Sequence, residues 1–318
     1  TAELCPHTVV QLAFPPSSRQ STPSTGITKT TSPPASSQRC AGYWLAGTTC
    51  LGLGASFAED LLKSIATAAG GRFHYIESPE HAPEVFREEL GGLLAVVAQN
   101  VEIEMNFADG VTGVAQLTGY SWKLDSEKCR IILGDFGAGQ VKHVLLAAQL
   151  PALTDLSDVL LASLRMNYAA IEDDSVQIKS LKQDLIVGVT DKASPDDAGD
   201  PDVLLHIGIQ AAAQARKQAV DQLDQGDIAG ATKVLEDRRD ELRRMAPNAS
   251  APELLTNEAS ELDRRARELK EEQDIVSSRK FMVAEGTAMS QSNVSGTRSA
   301  RQRRSRPRPP KDNGTGNA

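Results

Sequence analysis

Three successive changes of pattern predict a multidomain α+β protein: strand-helix alternation over residues 47–98, a period of two over 101–189, and a helical period over 201–275. The first implies a partial α/β unit, the second a β-sandwich and the third a C-terminal helical hairpin or bundle. The chain accordingly divides into a Ser/Thr/Pro-rich disordered segment (1–46), the α/β remnant (47–98), the sandwich (99–194), the helical domain (195–286) and a disordered basic tail (287–318).

In the α/β part, Thr49-Cys50-Leu51-Gly52-Leu53-Gly54 is a short apolar strand closing on glycines. Leu61, Leu62, Ile65, Ala66 and Ala69 then repeat at helical spacing over 57–69. Gly70-Gly71 supplies the left-handed C-cap, Arg72-Phe73-His74-Tyr75-Ile76 a second strand, and 82–99 a second helix. Glu84, Val85, Phe86, Leu90, Leu93, Leu94 and Val97 lie on the stripe of that helix. The string LGLGASFAEDLLKSIATAAGGRFHYIESPEHAPEVFREELGGLL (51–94) resembles the C-terminal part of a von Willebrand factor type A (VWA) domain.

After residue 100, Val101, Ile103, Met105 and Phe107 alternate with Glu102, Glu104 and Asn106, a half-buried strand running to the Asp109-Gly110 turn. Further strands are predicted at 114–124, 129–133, 141–150, 160–171 and 176–189. An acidic linker at 195–201 leads to helices at 201–225, 227–245 and 252–275. Ala211, Ala212, Ala213, Ala215 and Ala219 make the first of them small-faced, and Gly226 supplies its turn into the second. That pair resembles a single tetratricopeptide-type hairpin. The segment VSSRKFMVAEG (276–286) is similar to the closing segment of bacterial proteins in which a VWA domain precedes a sandwich and helices, so the resemblance extends over 49–286.

That resemblance implies a divalent-cation site built from an Asp-x-Ser-x-Ser loop, a threonine and a further aspartate, all of them before the last strand of the VWA domain. No Asp-x-Ser-x-Ser occurs in the chain. Asp155-Leu156-Ser157 and Asp173-Asp174-Ser175 lack the second serine, so no metal ligand and no cofactor is expected. The expected protein is a truncated member of the VWA type, a reading that the initial Thr1 also fits. Its helices should present Leu61, Ile65, Phe86 and Leu93 to water where the absent sheet would lie.

Catalytic patterns are weak. Gly52-x-Gly54 lacks the third glycine of a dinucleotide-binding turn, and His7, His74, His81, His143 and His206 show no metal spacing. No GxSxG elbow occurs. Cys5, Cys40, Cys50 and Cys129 form no CxxC pair and read as reduced and structural. The functional expectation is a non-enzymatic protein-protein interaction module.

The alternative rests on charge. Although the chain carries a net −8, Arg298, Arg301, Arg303, Arg304, Arg306, Arg308 and Lys311 crowd its end. Such a tail binds nucleic acid or anionic lipid without sequence preference, since no aromatic residue among them stacks on bases. No apolar run approaches the roughly 20 residues of a membrane span, and no signal peptide is evident, which points to a cytoplasmic protein with an unknown protein partner.

Overall fold

The computed structural model describes residues 7–13, 48–54, 56–94, 96–125, 128–150, 158–172, 175–188, 199–271 and 275–291. The Ser/Thr/Pro-rich stretch from 14 to 47 and the basic tail from 292 lie outside the described residues. Within the span read as disordered, strand β1 (His7–Ala13) is present and pairs with a later strand. Seven residues without alternation, next to a Pro/Ser-rich run, gave no strand signal of their own.

The α/β unit is a single right-sized β-α-β: β2 (Cys50–Leu53), α1 (Glu59–Ala68) and β3 (Phe73–Ile76), with the two strands parallel in the register Cys50↔Phe73 to Leu53↔Ile76. Helix α1 has no side-chain cap at Ala58; Glu59 and Asp60 in its first turn supply the negative charge its N-terminus favours. It ends at Gly70, whose φ of +66° a side chain would disfavour, and Gly71 N–H donates to the Ala66 carbonyl at 2.9 Å.

A 3-10 turn (Pro79–His81) precedes α2 (Ala82–Leu94). The sequence pattern carried this helix to residue 99, but it stops at Leu94 and strand β4 (Val96–Phe107) follows almost at once. The β-branched Val96-Val97 pair suits a pleated strand, so Val97 belongs to β4 and not to a helical stripe. Irregular pairing between Gln99 and Glu102 absorbs the change of direction. There Asn100 takes φ +53°, and its N–H donates to Asp135 Oδ1 at 3.0 Å.

Strands β5 (Thr112–Gln116), β6 (Ser121–Asp125), β7 (Lys128–Gly137), β8 (Val141–Gln149), β9 (Asp158–Glu172) and β10 (Ser175–Gly188) complete two antiparallel sheets, β10-β9-β4-β7-β6 and β1-β8-β5. The strand expected at 114–124 is therefore two. Leu117–Tyr120 interrupts it, and the chain passes from the smaller sheet to the edge of the larger. Period two decides the core: Val101, Ile103 and Met105 of β4 meet Ile131 and Leu133 of β7 and Leu164 and Met166 of β9, with Val144 and Leu146 of β8 in the same cluster.

Four helices follow: α3 (Pro201–Asp224), α4 (Ile228–Met245), α5 (Pro252–Lys270) and α6 (Ile275–Ser290). The Asp200 side chain caps α3, accepting from the N–H groups of Asp202 and Val203 at 2.8 and 3.3 Å, with Pro201 in the first turn. Gly226 at φ +79° turns the chain, and Asp227 caps α4 through Gly230 N–H at 2.7 Å. The third predicted helix ends at Lys270, and Ile275 opens α6 instead.

The small face of α3 admits α6 closely. A Cβ placed on Gly286 would stand 3.3 Å from the Ala213 carbonyl. One buried cluster joins these helices to Cys50, Ala66 and Phe73, so the β-α-β unit and the helices share a core.

Candidate functional site

Seen from that shared core, the β-α-β unit has a covered side against the helices, while α1 and α2, which pack on opposite faces of its strands, each leave an apolar stripe bare. Ala66, Phe73 and Tyr75 are buried, and the Tyr75 ring meets Phe281 of α6 edge-on at 4.8 Å between centroids. In contrast, Leu61 and Ile65 on α1 are 60% and 42% exposed, and Phe86 and Leu90 on α2 are 51% and 58% exposed. Each pair is spaced i,i+4 and so forms an adjoining stripe. Leu53 at the end of β2 is also exposed. Among the described residues no strand pairs with the second edge of β2. Parallel strands are ordinarily covered on both faces, which makes this unit incomplete as a surface. Leu61, Ile65 and Phe86 thus stand where the sequence pattern put them; the Leu93 side chain lies outside the described residues.

Ion pairs fix the covered side. Arg279 of α6 bonds Glu59, Asp60 (3.2 Å) and Asp224 (2.6 and 2.7 Å), joining α1, α3 and α6. The Asp224 hydrogen bond holds the guanidinium charged well above its usual range, and Arg279 in turn lowers the Asp224 carboxyl. Lys280 donates to Glu59 at 2.5 Å and lies 4.1 Å from the Phe57 ring centroid. Burial alone would raise the Glu59 carboxyl, but these cations bring it below its ordinary value.

Glu89 ties α2 to the strands. It accepts from Thr49 Oγ1 at 2.8 Å and Arg72 Nη1 at 3.1 Å, and stands 2.9 Å from His74 Nε2. Burial pushes its carboxyl up. The His74 hydrogen bond and charge, together with Thr49 and Arg72, outweigh burial and hold it at about 2, against an ordinary 4.5. A carboxyl depressed on folding stabilises fully above its unfolded pKa and loses that contribution as pH falls through the folded one. The stability gap between the wild type and Glu89→Gln should therefore be widest above pH 4.5 and shrink towards pH 2. Urea unfolding across that range checks it; a gap of constant size would contradict the role of Glu89.

Groups with reactive potential elsewhere are engaged structurally. Lys142 is pushed down to about 8 by burial and by Arg72, against the pull of Asp135, yet its ammonium donates to the carbonyls of Leu133 (2.6 Å) and Asp135 (2.9 Å). His143 of β8 stacks on His206 of α3 with centroids 3.7 Å apart; burial and the neighbouring ring lower it to about 4. Cys50 and Cys129 are buried free thiols, and burial raises the latter to about 11, far from a reactive thiolate.

Among the described residues no group of three or more His, Cys, Asp and Glu is placed to hold a metal ion. Among the described residues the donor set does not fit a hard-oxygen cation site of the kind the VWA resemblance implies. Asp155-Leu156-Ser157 and Asp173-Asp174 lie outside the described residues, as do Arg298, Arg301, Arg303, Arg304, Arg306, Arg308 and Lys311 of the basic tail. No helix among the described residues is long and apolar enough to cross a membrane.

No protein-family model matches the sequence, and no curated protein sequence matches it. The structure is similar to the von Willebrand factor type A protein from Catenulispora acidiphila, with 18% identity and a TM-score of 0.53 over 76% of this chain and 57% of that one. Two further matches are the ArnB paralog VWA2 from Sulfolobus acidocaldarius (17% identity, TM-score 0.46, 78% of this chain and 56% of that one) and the human COPII-coat protein Sec24c (12%, 0.46, 78% and 33%). The chain thus spans little more than half of the Catenulispora structure. Its strands and helices have the fold of von Willebrand factor type A proteins, and the likeness is one of fold.

Proposed function

We propose that the chain is a non-enzymatic protein-interaction module whose β-α-β unit receives a partner polypeptide at the open edge of β2. The observation that carries this reading is the edge of β2 that no strand pairs among the described residues, with exposed apolar residues on the helices of either face, Leu61 and Ile65 of α1 and Phe86 and Leu90 of α2. Apolar stripes on a half-covered parallel unit are expensive to leave in water, and a strand edge supplies directional hydrogen bonds. The fitting partner is an α/β segment that adds a strand to β2 and lays apolar side chains on α1 and α2. The partial coverage of the matched VWA-type structure agrees with a missing complement, whether carried on a longer chain or on a separate one.

Hydrogen exchange on the purified complex tests the reading. Partner binding should protect the outward-facing amides of Cys50–Leu53, and Leu61→Glu with Phe86→Glu should abolish both binding and protection while the exposed control Arg243→Glu leaves them intact. A complex whose formation leaves the β2 amides unprotected would overturn it, and so would protection of those amides in a homodimer of this chain alone, its mass read by light scattering.

A further inference from the structure

Strand β10 lies at one end of the larger sheet, and among the described residues no strand pairs with its outer edge. It is long for an edge strand, running from Ser175 to Gly188 without a proline, and the one irregularity of its ladder puts the extra residue on β9, at Leu161. Edges of this kind are usually blunted by prolines, by bulges or by a covering element. Here apolar side chains stand in water instead: Ile178 is 77% exposed, Ile186 59% and Leu181 50%. Between them lie two exposed side chains of opposite charge, Lys182 and Asp184.

Which backbone groups face outwards follows from the pairing of β9. The Ala108 N–H donates to the Leu161 carbonyl at 2.9 Å, so two residues further along, where Asn106 pairs with Ser163, the Ser163 N–H and C=O also point to β4. Asp184, opposite Ser163 on the other side, therefore turns its own N–H and C=O away from β9, and by alternation Ser180, Lys182 and Ile186 do the same. The Gln183 side chain marks the same direction: its Nε2 donates to the Asp184 carbonyl at 3.1 Å, where the N–H of a neighbouring strand would stand.

Self-pairing of such an edge is antiparallel about a twofold axis, and the charges select the register. A centre at Lys182 sets lysine against lysine, one at Asp184 sets aspartate against aspartate, and one at Leu181 leaves the carboxylate of Asp184 opposite Ile178. A centre at Gln183 places Lys182 opposite Asp184 of the second copy, twice over by symmetry, and keeps the outward N–H and C=O groups of both strands facing one another. It also sets Leu181 opposite Leu185 on one face and Ile186 diagonal to Ile178 on the other. From this complementarity we propose that β10 is the contact through which two copies of this chain join into a dimer, their five-stranded sheets running on as one. The contact occupies the same edge in both copies, so the assembly closes at two.

Sedimentation equilibrium of the full chain over a range of concentrations, with amide exchange read residue by residue by NMR, tests the contact. Dimerisation should slow exchange at Ser180, Lys182, Asp184 and Ile186 and leave Cys50–Leu53 unchanged, so the partner site proposed at β2 stands or falls separately. Lys182→Glu alone, or Asp184→Lys alone, sets like charges opposite each other at both symmetric positions and should weaken dimerisation about tenfold or more. Mixed one to one, the two variants should form a heterodimer as tight as the wild-type dimer, because each then meets its opposite charge; misfolding of either variant could not give that rescue. A chain that stays monomeric up to its solubility limit overturns the proposal. So does a dimer that leaves those four amides unprotected, or a mixture that associates no more tightly than the single variants.

Discussion

Replacing Arg216 with alanine is expected to lower folding stability by about 3–5 kcal/mol, the range for removing one partner from a buried ion pair. Arg216 is fully buried on α3 and donates to Glu258 of α5 at 2.8 Å, to Glu285 of α6 at 3.3 Å and to the Ala212 carbonyl at 3.1 Å. Glu285 is itself 2% exposed and is shared with Arg265, at 3.2 Å, which also bonds Glu268. Without Arg216, Glu258 and Glu285 each lose a buried guanidinium partner. Denaturant unfolding measures the loss, and a change below about 1 kcal/mol would show that the network relaxes into water. The paired variant Arg216→Met with Glu258→Leu should recover much of the loss, since a packed apolar pair avoids the desolvation that two buried charges incur.

The second large effect is expected from Phe281→Ala, at about 3–5 kcal/mol. The ring is 4% exposed, meets Tyr75 of β3 edge-on and lies 5.0 Å from the Arg265 guanidinium carbon. It is therefore an apolar side chain of α6 that touches both the β-α-β unit and the arginine network. Its removal leaves a cavity that neither neighbour fills, because Tyr75 is fixed on a strand and Arg265 is held by two carboxylates. Limited proteolysis should then cut first within residues 48–94, while 199–271 stays protected. Phe281→Leu, which keeps most of the volume, should cost far less. Equal stability of the alanine variant and the wild type, or first cleavage among the helices, would contradict this arrangement. Arg265 contacts both groups, so the effects of Arg216→Ala and Phe281→Ala should not add.

Charge on the covered side of the unit works differently from charge in the helical core. Arg279 reaches three carboxylates at the rim, where water screens it, whereas Arg216 and Arg265 have no solvent to fall back on. The interior network therefore sets stability, and the rim network sets how α1 meets α3 and α6. Asp60 and Asp224, which Arg279 bonds, also line the open cavity between α1, α3 and α6.

Local chemistry alone determined a good part of this protein. Period two in Val101, Ile103 and Met105 marks a strand because alternate side chains must reach the same core, and all three are buried. Gly226, Asp200-Pro201 and Gly70-Gly71 mark helix ends because the backbone conformations and unpaired N–H groups there suit few other residues. The 51–94 string was enough to suggest a VWA-type relative, and the fold is similar to that of the Catenulispora acidiphila protein of that description.

Tertiary structure decided the rest. Helix α6 has Ser277, Ser278, Lys280, Glu285 and Thr287 buried alongside Phe281, Met282 and Val283, so it carries no apolar stripe by which a sequence pattern would find it. It is wrapped by α3, α5, α1 and β3, and its polar residues are inside because partners from distant parts of the chain wait for them there. The same holds for the cavity. Thr118, Lys63 and Gln210 are ordinary residues in their own segments, separated by tens of positions, and no spacing rule links them. They line one cavity only because three parts of the chain pack together there, and the free energy of a polar group depends on what surrounds it and not on its neighbours in sequence.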